Sequence, residues 1–308
     1  MVFSEIGADD SILKTIENRK QKCLAKAAAL KRTMEDERMQ GVGWLAGIIM
    51  VHNSVIVSTL TYGAPAMTGM DVKHWDLLES VQRQCLIHML GISNKTTHQS
   101  LLFTLGISPI KDIIKKLQIT FINTLFHLKR SGQCYDTLKN DFSNGDIKGL
   151  VGEVKEYCEE YGLDDVTETY VNPEIIKKRI ERVVLDRQWI LDLKAKKPPL
   201  SIRRDSRAQK FYTSLPKNKA KLMLCYELGD LNFRVSRRNE AIKKYGSTEC
   251  LVPFCREPDS LDHVSKCRGY TAKLKEDAGP YELIEYLAEL EQERTKTFRK
   301  SLINFKTL

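Results

Sequence analysis

Apolar residues recur every three or four positions through most of this chain, and no segment alternates apolar and polar residues in the way a strand does. A period near 3.6 puts those residues on one face of a helix, so the expected fold class is all-α. In residues 71–91, Trp75, Leu78, Val81, Cys85, Met89 and Leu90 fall on one face, Asp71 stands where an N-cap belongs and Gly91 is placed to end the helix. Residues 108–130 repeat the arrangement, with Ser108 as N-cap, Pro109 at the first helical position and Gly132 as stop. Their predicted buried stripe is Ile113, Ile114, Leu117, Phe121, Leu125 and Leu128. Leu101, Leu102 and Leu105 predict a small helix between these two. Residues 11–39 predict an amphipathic helix with Ile12, Ile16, Cys23 and Leu24 inside and Lys or Arg outside. Asn172, Pro173 and Glu174 open another, whose apolar face is Ile176, Ile180, Val183, Val184 and Ile190. Residues 281–305 close the chain with Leu283, Leu287, Leu290, Phe298 and Leu302.

One stretch differs from these amphipathic helices. Residues 39–70 hold no Lys, Arg, Asp or Glu, and residues 44–60 are apolar enough to resemble a membrane span. His52, Asn53, Ser54 and Ser58 would then sit near mid-bilayer, where polar groups are costly. A buried core helix is the expectation, with no membrane partner. Residues 1–10 lack a basic region followed by an apolar run, so no secretory signal is expected either.

Charge divides the chain. Formal net charge is +9 and the sequence pI about 9.0, which favours polyanionic partners over acidic small molecules. Residues 136–169 carry ten acidic and three basic side chains, a balance of −7, whereas residues 173–224 carry fifteen basic and five acidic, a balance of +10. The expected modules are therefore a helical region at 1–135, an acidic segment at 136–172, a basic helical region at 173–245, and a metal knuckle with a closing helix at 246–308. In the basic region Lys177, Lys178, Arg179, Arg182 and Arg187 crowd one helix. Arg203, Arg204, Arg207 and Lys210 then lie among Phe211 and Tyr212. Cations beside stacking rings suit RNA or DNA; a solvated basic surface over core aromatics suits the same residues.

Cys250, Cys255, His263 and Cys267 run in the order Cys-x4-Cys-x7-His-x3-Cys. Two ligand pairs across a short loop can supply the tetrahedral thiolate and imidazole set that zinc prefers, and four filled positions make such a site structural. The neighbouring apolar residues are too few to form a core, so the metal would supply most of the local folding free energy. The other cysteines, Cys23, Cys85, Cys134, Cys158 and Cys225, are dispersed, which points to reduced thiols and a nuclear or cytoplasmic protein. No catalytic residue is expected. Asp9 and Asp10 lead into a helix and lack the hairpin of a two-metal site, and Gly41-Val42-Gly43 follows no strand. His52, His74, His88, His98 and His127 lie too far apart in sequence to suggest a joint site.

Leu60-Thr61-Tyr62-Gly63, Leu78-Glu79, Gln82-Arg83-Gln84-Cys85-Leu86, Met89-Leu90-Gly91-Ile92 and Leu105-Gly106-Ile107-Ser108-Pro109 together resemble a block in the reverse transcriptases of non-LTR retrotransposons. That block lies just after the polymerase palm, in the helical thumb. The Cys/His knuckle is similar to the element near the end of many of these polyproteins. Residues 7–11 look like the turn before the first thumb helix, and Met67 stands where that family commonly has a tryptophan. The resemblance implies a thumb-like helix bundle that holds primer and template, and a basic module and knuckle that grip RNA or DNA. The palm with its metal-binding aspartates has no counterpart here, so the expectation is a truncated C-terminal portion of an RNA-directed DNA polymerase, inactive alone and without a small-molecule substrate. A stand-alone zinc-dependent nucleic-acid-binding protein and a zinc-stapled helical interaction module are the two alternatives.

Overall fold

The computed structural model describes residues 8–36, 40–92, 94, 96–127, 136, 140, 149–163, 170–194, 213–228, 250, 255–258, 263 and 267. Most of these are helical, and none lies in a strand. The chain separates into two compact units, Met1–Leu215 and Pro216–Leu308.

In the first unit α1 (Ala8–Met34) packs along α4 (Val72–Leu90) more extensively than any other helix pair does. Ile16, Cys23, Ala27 and Met34 form the buried stripe of α1, and Leu78, Val81, Cys85, Leu86 and Met89 that of α4. Each fully buried aliphatic side chain contributes about 1.5–3 kcal/mol. The helix begins earlier than the sequence suggested, at Ala8, so Asp9 and Asp10 belong to its own first turn instead of a turn before it. At the head of α4 the predicted cap is present: Asp71 Oδ1 accepts from His74 N at 2.9 Å, and His74 Nδ1 accepts from Asp71 N at 3.2 Å. Gly91 ends the helix in the left-handed region at φ 61°.

The uncharged stretch, expected as a buried core helix, buries one face and leaves the other open. It runs as α2 (Trp44–Val51), a π-helical turn (His52–Val57) and α3 (Ser58–Thr61). Trp44, Leu45, Ile48, His52, Ile56 and Leu60 are buried, while Met50, Asn53, Ser54 and Ser58 are open to solvent. By length and composition Trp44–Ala66 is long and apolar enough to cross a membrane, yet only 33% of its most apolar window is buried inside the protein.

The predicted small helix is α5 (His98–Leu105), closed by Gly106 at φ 63°. α6 (Ile110–His127) follows, and its buried face is rotated from the predicted stripe. Leu117 and Phe121 are 36% and 39% exposed, whereas Asp112, Lys115, Gln118 and Asn123 are buried beside Ile114, Ile119 and Ile122. The polar groups turn inward because each has a fixed partner. Gln118 Nε2 donates to Met67 O at 2.9 Å, and Asn123 exchanges two hydrogen bonds with the Val171 backbone at 2.8 and 3.1 Å.

The acidic segment contributes α7 (Leu150–Tyr161), and Asn172 caps α8 (Pro173–Lys194) through Oδ1 to Glu174 N at 2.9 Å. Ile119 and Ile122 of α6, Val154, Cys158 and Tyr161 of α7 and Ile176, Ile180 and Val184 of α8 share one core. The change of charge at residue 172 therefore falls inside a shared core. In the second unit, α9 (Lys217–Glu227) buries Ala220, Met223 and Leu224.

Candidate metal centre

Cys250, Cys255, His263 and Cys267, the four residues that the spacing singled out, converge in the second unit. Their ligand atoms all lie within 4.8 Å of one another. Two short backbone bonds set the geometry: Cys250 N donates to Glu257 O at 2.8 Å, and Cys267 N donates to His263 O at 2.7 Å. The first brings Cys250 beside the Cys255–Pro258 segment, and the second brings Cys267 beside His263. Cys250 and Cys267 are buried, and Cys255 and His263 are half-buried.

Distances between ligand atoms test the set against a metal. With metal–sulfur bonds of about 2.3 Å and metal–nitrogen bonds of about 2.05 Å, a tetrahedron has sulfur–sulfur edges of about 3.8 Å and sulfur–nitrogen edges of about 3.5 Å. Cys250 Sγ lies 3.9 Å from Cys267 Sγ, and Cys255 Sγ lies 3.4 Å from His263 Nε2. A disulfide would need about 2.05 Å, so Cys250 and Cys267 are not bridged to one another. A Cys3His group of this kind could hold one metal ion.

Of the residues expected to contact nucleic acid, Lys178, Arg179 and Arg182 are exposed along α8, and Lys177 is half-buried, 3.7 Å from Glu174. Glu174, Glu181 and Asp186 are exposed on the same helix, so its surface is mixed in charge. Arg203, Arg204, Arg207 and Lys210 lie outside the described residues. Arg187 does not join the outer cations. Its Nη1 lies 3.2 Å from Asp112 Oδ1 and its Nη2 lies 2.9 Å from Glu160 Oε1.

Arg187 completes an ion network that the sequence did not reveal. Tyr161 donates to Asp112, and Lys115 pairs with Glu160 while its Nζ sits 4.5 Å from the centre of the Tyr157 ring. Burial would raise the Glu160 carboxyl, but the hydrogen bond and charge of Lys115, with Arg187, outweigh it and hold the group below its ordinary range. Burial first, then Asp112, pushes the Tyr161 phenol well up, so it stays a donor. Every charge in the network has a partner on another helix.

No family model matches the chain, and neither a curated protein nor a solved structure resembling it was found.

Two histidines are brought nearer to one another than their sequence positions suggested. His52, fully buried in the π turn, places Nδ1 3.0 Å from Asn53 Oδ1, and its Nε2 has no hydrogen-bond partner. His98 Nε2 is likewise without one, and Nδ1 lies 3.9 Å from Glu79 Oε2. Burial, then the charges of Arg83 and His52, push the His98 imidazole down to about 4. Gln82 and Arg83, two residues of the sequence block, have structural duties. Gln82 Nε2 donates to Ser108 O at 3.0 Å and its Oε1 accepts from Ile110 N at 2.9 Å, which ties α4 to the head of α6. Arg83 Nε donates to Thr96 O at 2.9 Å, which ties α4 to the entry of α5.

Proposed function

We propose that this protein binds nucleic acid through basic helical surfaces, with zinc closing the Cys3His group of its second unit, in the manner of the thumb and knuckle region of a non-LTR reverse transcriptase. The observation that carries the proposal is the set of ligand distances, 3.9 Å between thiols and 3.4 Å between thiol and imidazole, which suits zinc with no position left for a catalytic water. A net charge of +9 and the helical build agree with that role. Three thiolates and one imidazole favour zinc over hard cations such as magnesium or calcium, which prefer oxygen ligands. Phosphate contacts then dominate affinity, so binding falls steeply with salt and shows little sequence preference.

The test is elemental analysis of the purified chain followed by titration onto labelled RNA and DNA at several salt concentrations. One zinc per chain and salt-dependent binding are expected. A chain that carries no stoichiometric zinc, or one whose binding is sequence-specific and salt-resistant, would sink the proposal.

A further inference from the structure

Tyr62 ends the segment that began with α2 and is 80% exposed. Its position is nonetheless fixed, because Leu60 and Ala64 on either side are fully buried and Gly63 turns the chain in the left-handed region at φ 68°. One exposed ring is ordinary on a protein surface. What distinguishes this one is the row of cations beside it.

Thr15, Arg19, Lys22 and Lys26 recur at intervals of four, three and four residues, so they form a single edge of α1. Two hydrogen bonds identify that edge as the one lying along α3. Arg19 Nη1 donates to Leu60 O at 2.8 Å, and Lys26 Nζ donates to Thr59 Oγ1 at 2.9 Å. Lys22 lies between them and is exposed. The wall opposite is uncharged, since residues 39–70 contain no acidic side chain. Residues 12–34 of α1 hold seven basic side chains, Lys14, Arg19, Lys20, Lys22, Lys26, Lys31 and Arg32, against the single acidic Glu17. Among the described residues no carboxylate pairs with Lys22 or Lys26. Lys115 and Arg187, in contrast, are neutralised within the ion network.

We infer that this edge of α1 and the Tyr62 ring form a track for single-stranded nucleic acid, in which Lys22 and Lys26 neutralise phosphates and Tyr62 stacks on a base. The inference rests on the nucleic-acid reading above and adds to it the surface and the state of the strand. A base offers its face to an exposed ring only when it is unpaired, whereas a duplex presents phosphates alone. Lys22 and Lys26 stand one helical turn apart, about 6 Å along the axis, so both can follow one backbone. Lys26 keeps its remaining N–H groups for other acceptors while it holds Thr59.

The experiment is fluorescence anisotropy of the zinc-loaded full chain with labelled oligo-dT of about 20 nucleotides, longer than the site of one binding fold, and with a blunt duplex of equal length. Tyr62→Ala is expected to weaken oligo-dT binding about tenfold with an unchanged salt slope, and Tyr62→Phe to restore it. Duplex binding by Tyr62→Ala should change less than about twofold, because phosphate contacts remain. Lys22→Gln should lower the salt slope on oligo-dT by about 0.7. Thermal unfolding of Tyr62→Ala serves as the folding check. Unchanged oligo-dT affinity in Tyr62→Ala, or equal losses on strand and duplex, overturns the track. If the unaltered chain binds neither probe, the nucleic-acid reading itself fails.

Discussion

In the first unit, Leu78, Val81, Leu86, Leu90, Leu101 and Leu105 are essentially removed from water, and the buried Gln82 among them is matched by the backbone of Ser108 and Ile110. Around the Cys3His group the described residues bury little besides Cys250 and Cys267 themselves. One region uses its apolar surface to fix side chains. Among the described residues the other shows hardly any, and its Cys3His group offers ligands that a metal could draw together. With a metal in that group, order in this chain has two sources, and they should fail under different insults.

Metal removal separates them most sharply. Structural zinc in small modules supplies roughly 10–16 kcal/mol of local free energy. Chelation, or Cys267→Ser, should therefore release the backbone around Cys250 and His263 to fast hydrogen exchange while the protection of α1, α4 and α6 stays as it was. Loss of protection in both regions together would show that the metal supports the bundle as well, and the contrast would have to be abandoned.

The next largest effect lies inside the bundle. Asp112 is 3% exposed and accepts from Tyr161 and Arg187. Asp112→Ala strands a buried phenol and part of a guanidinium, at a cost of about 2–4 kcal/mol once the partial exposure of Arg187 is allowed for. Asp112→Asn keeps an acceptor oxygen and should lose less. Urea unfolding of the two variants measures this, and metal content should be the same in both.

These two regions were unequally legible in the sequence, for a physical reason. A metal site made of close neighbours leaves its whole ligand set within eighteen residues, Cys250 to Cys267, and three thiols with an imidazole at such spacing are the donor set that zinc takes. Helix limits set by local chemistry were legible too: the Asp71 cap, the Gly91 stop and the Asn172 start are where the spacing put them. The face that each helix buries was not always so. α6 presents Asp112, Lys115, Gln118 and Asn123 to the interior because partners 45 to 75 residues away receive them. A periodicity that counts apolar residues assigns such positions to solvent. Likewise, nothing local announced that His52 and His98 would come near one another, or that the uncharged helix would leave one face open.

Acid should weaken the first unit through its buried histidines, independently of the metal. His52 and His98 are both held neutral, by burial above all, with His98 lowered to about 4. The unfolded chain therefore takes up protons that the folded one resists, and stability falls as pH drops from about 6.5 toward 4. Glu160 adds to the loss at lower pH, since its folded carboxyl lies below the unfolded value and its stabilisation disappears as it protonates. For His98 the loss approaches about 3 kcal/mol at the acid end of that window. His98→Gln should flatten the profile in urea melts between pH 7 and 5. An identical slope in that variant would place the acid sensitivity elsewhere.

The smallest effect probes how α6 is turned. If the predicted stripe faced the core, Phe121→Ala would be a core truncation costing about 3–5 kcal/mol. In the observed orientation Phe121 is 39% exposed, and Ile122 beside it is 1% exposed within the core that α6, α7 and α8 share. Phe121→Ala should then cost about 1 kcal/mol, roughly 2 kcal/mol less than Ile122→Ala, although the larger side chain is the one removed. Equal losses would mean that both residues pack inside, and Lys115 and Asn123 would then have to give up their places at the interior. A reversed order would restore the stripe read from apolar spacing and would leave the ion pair of Lys115 with Glu160 without a route across the helices.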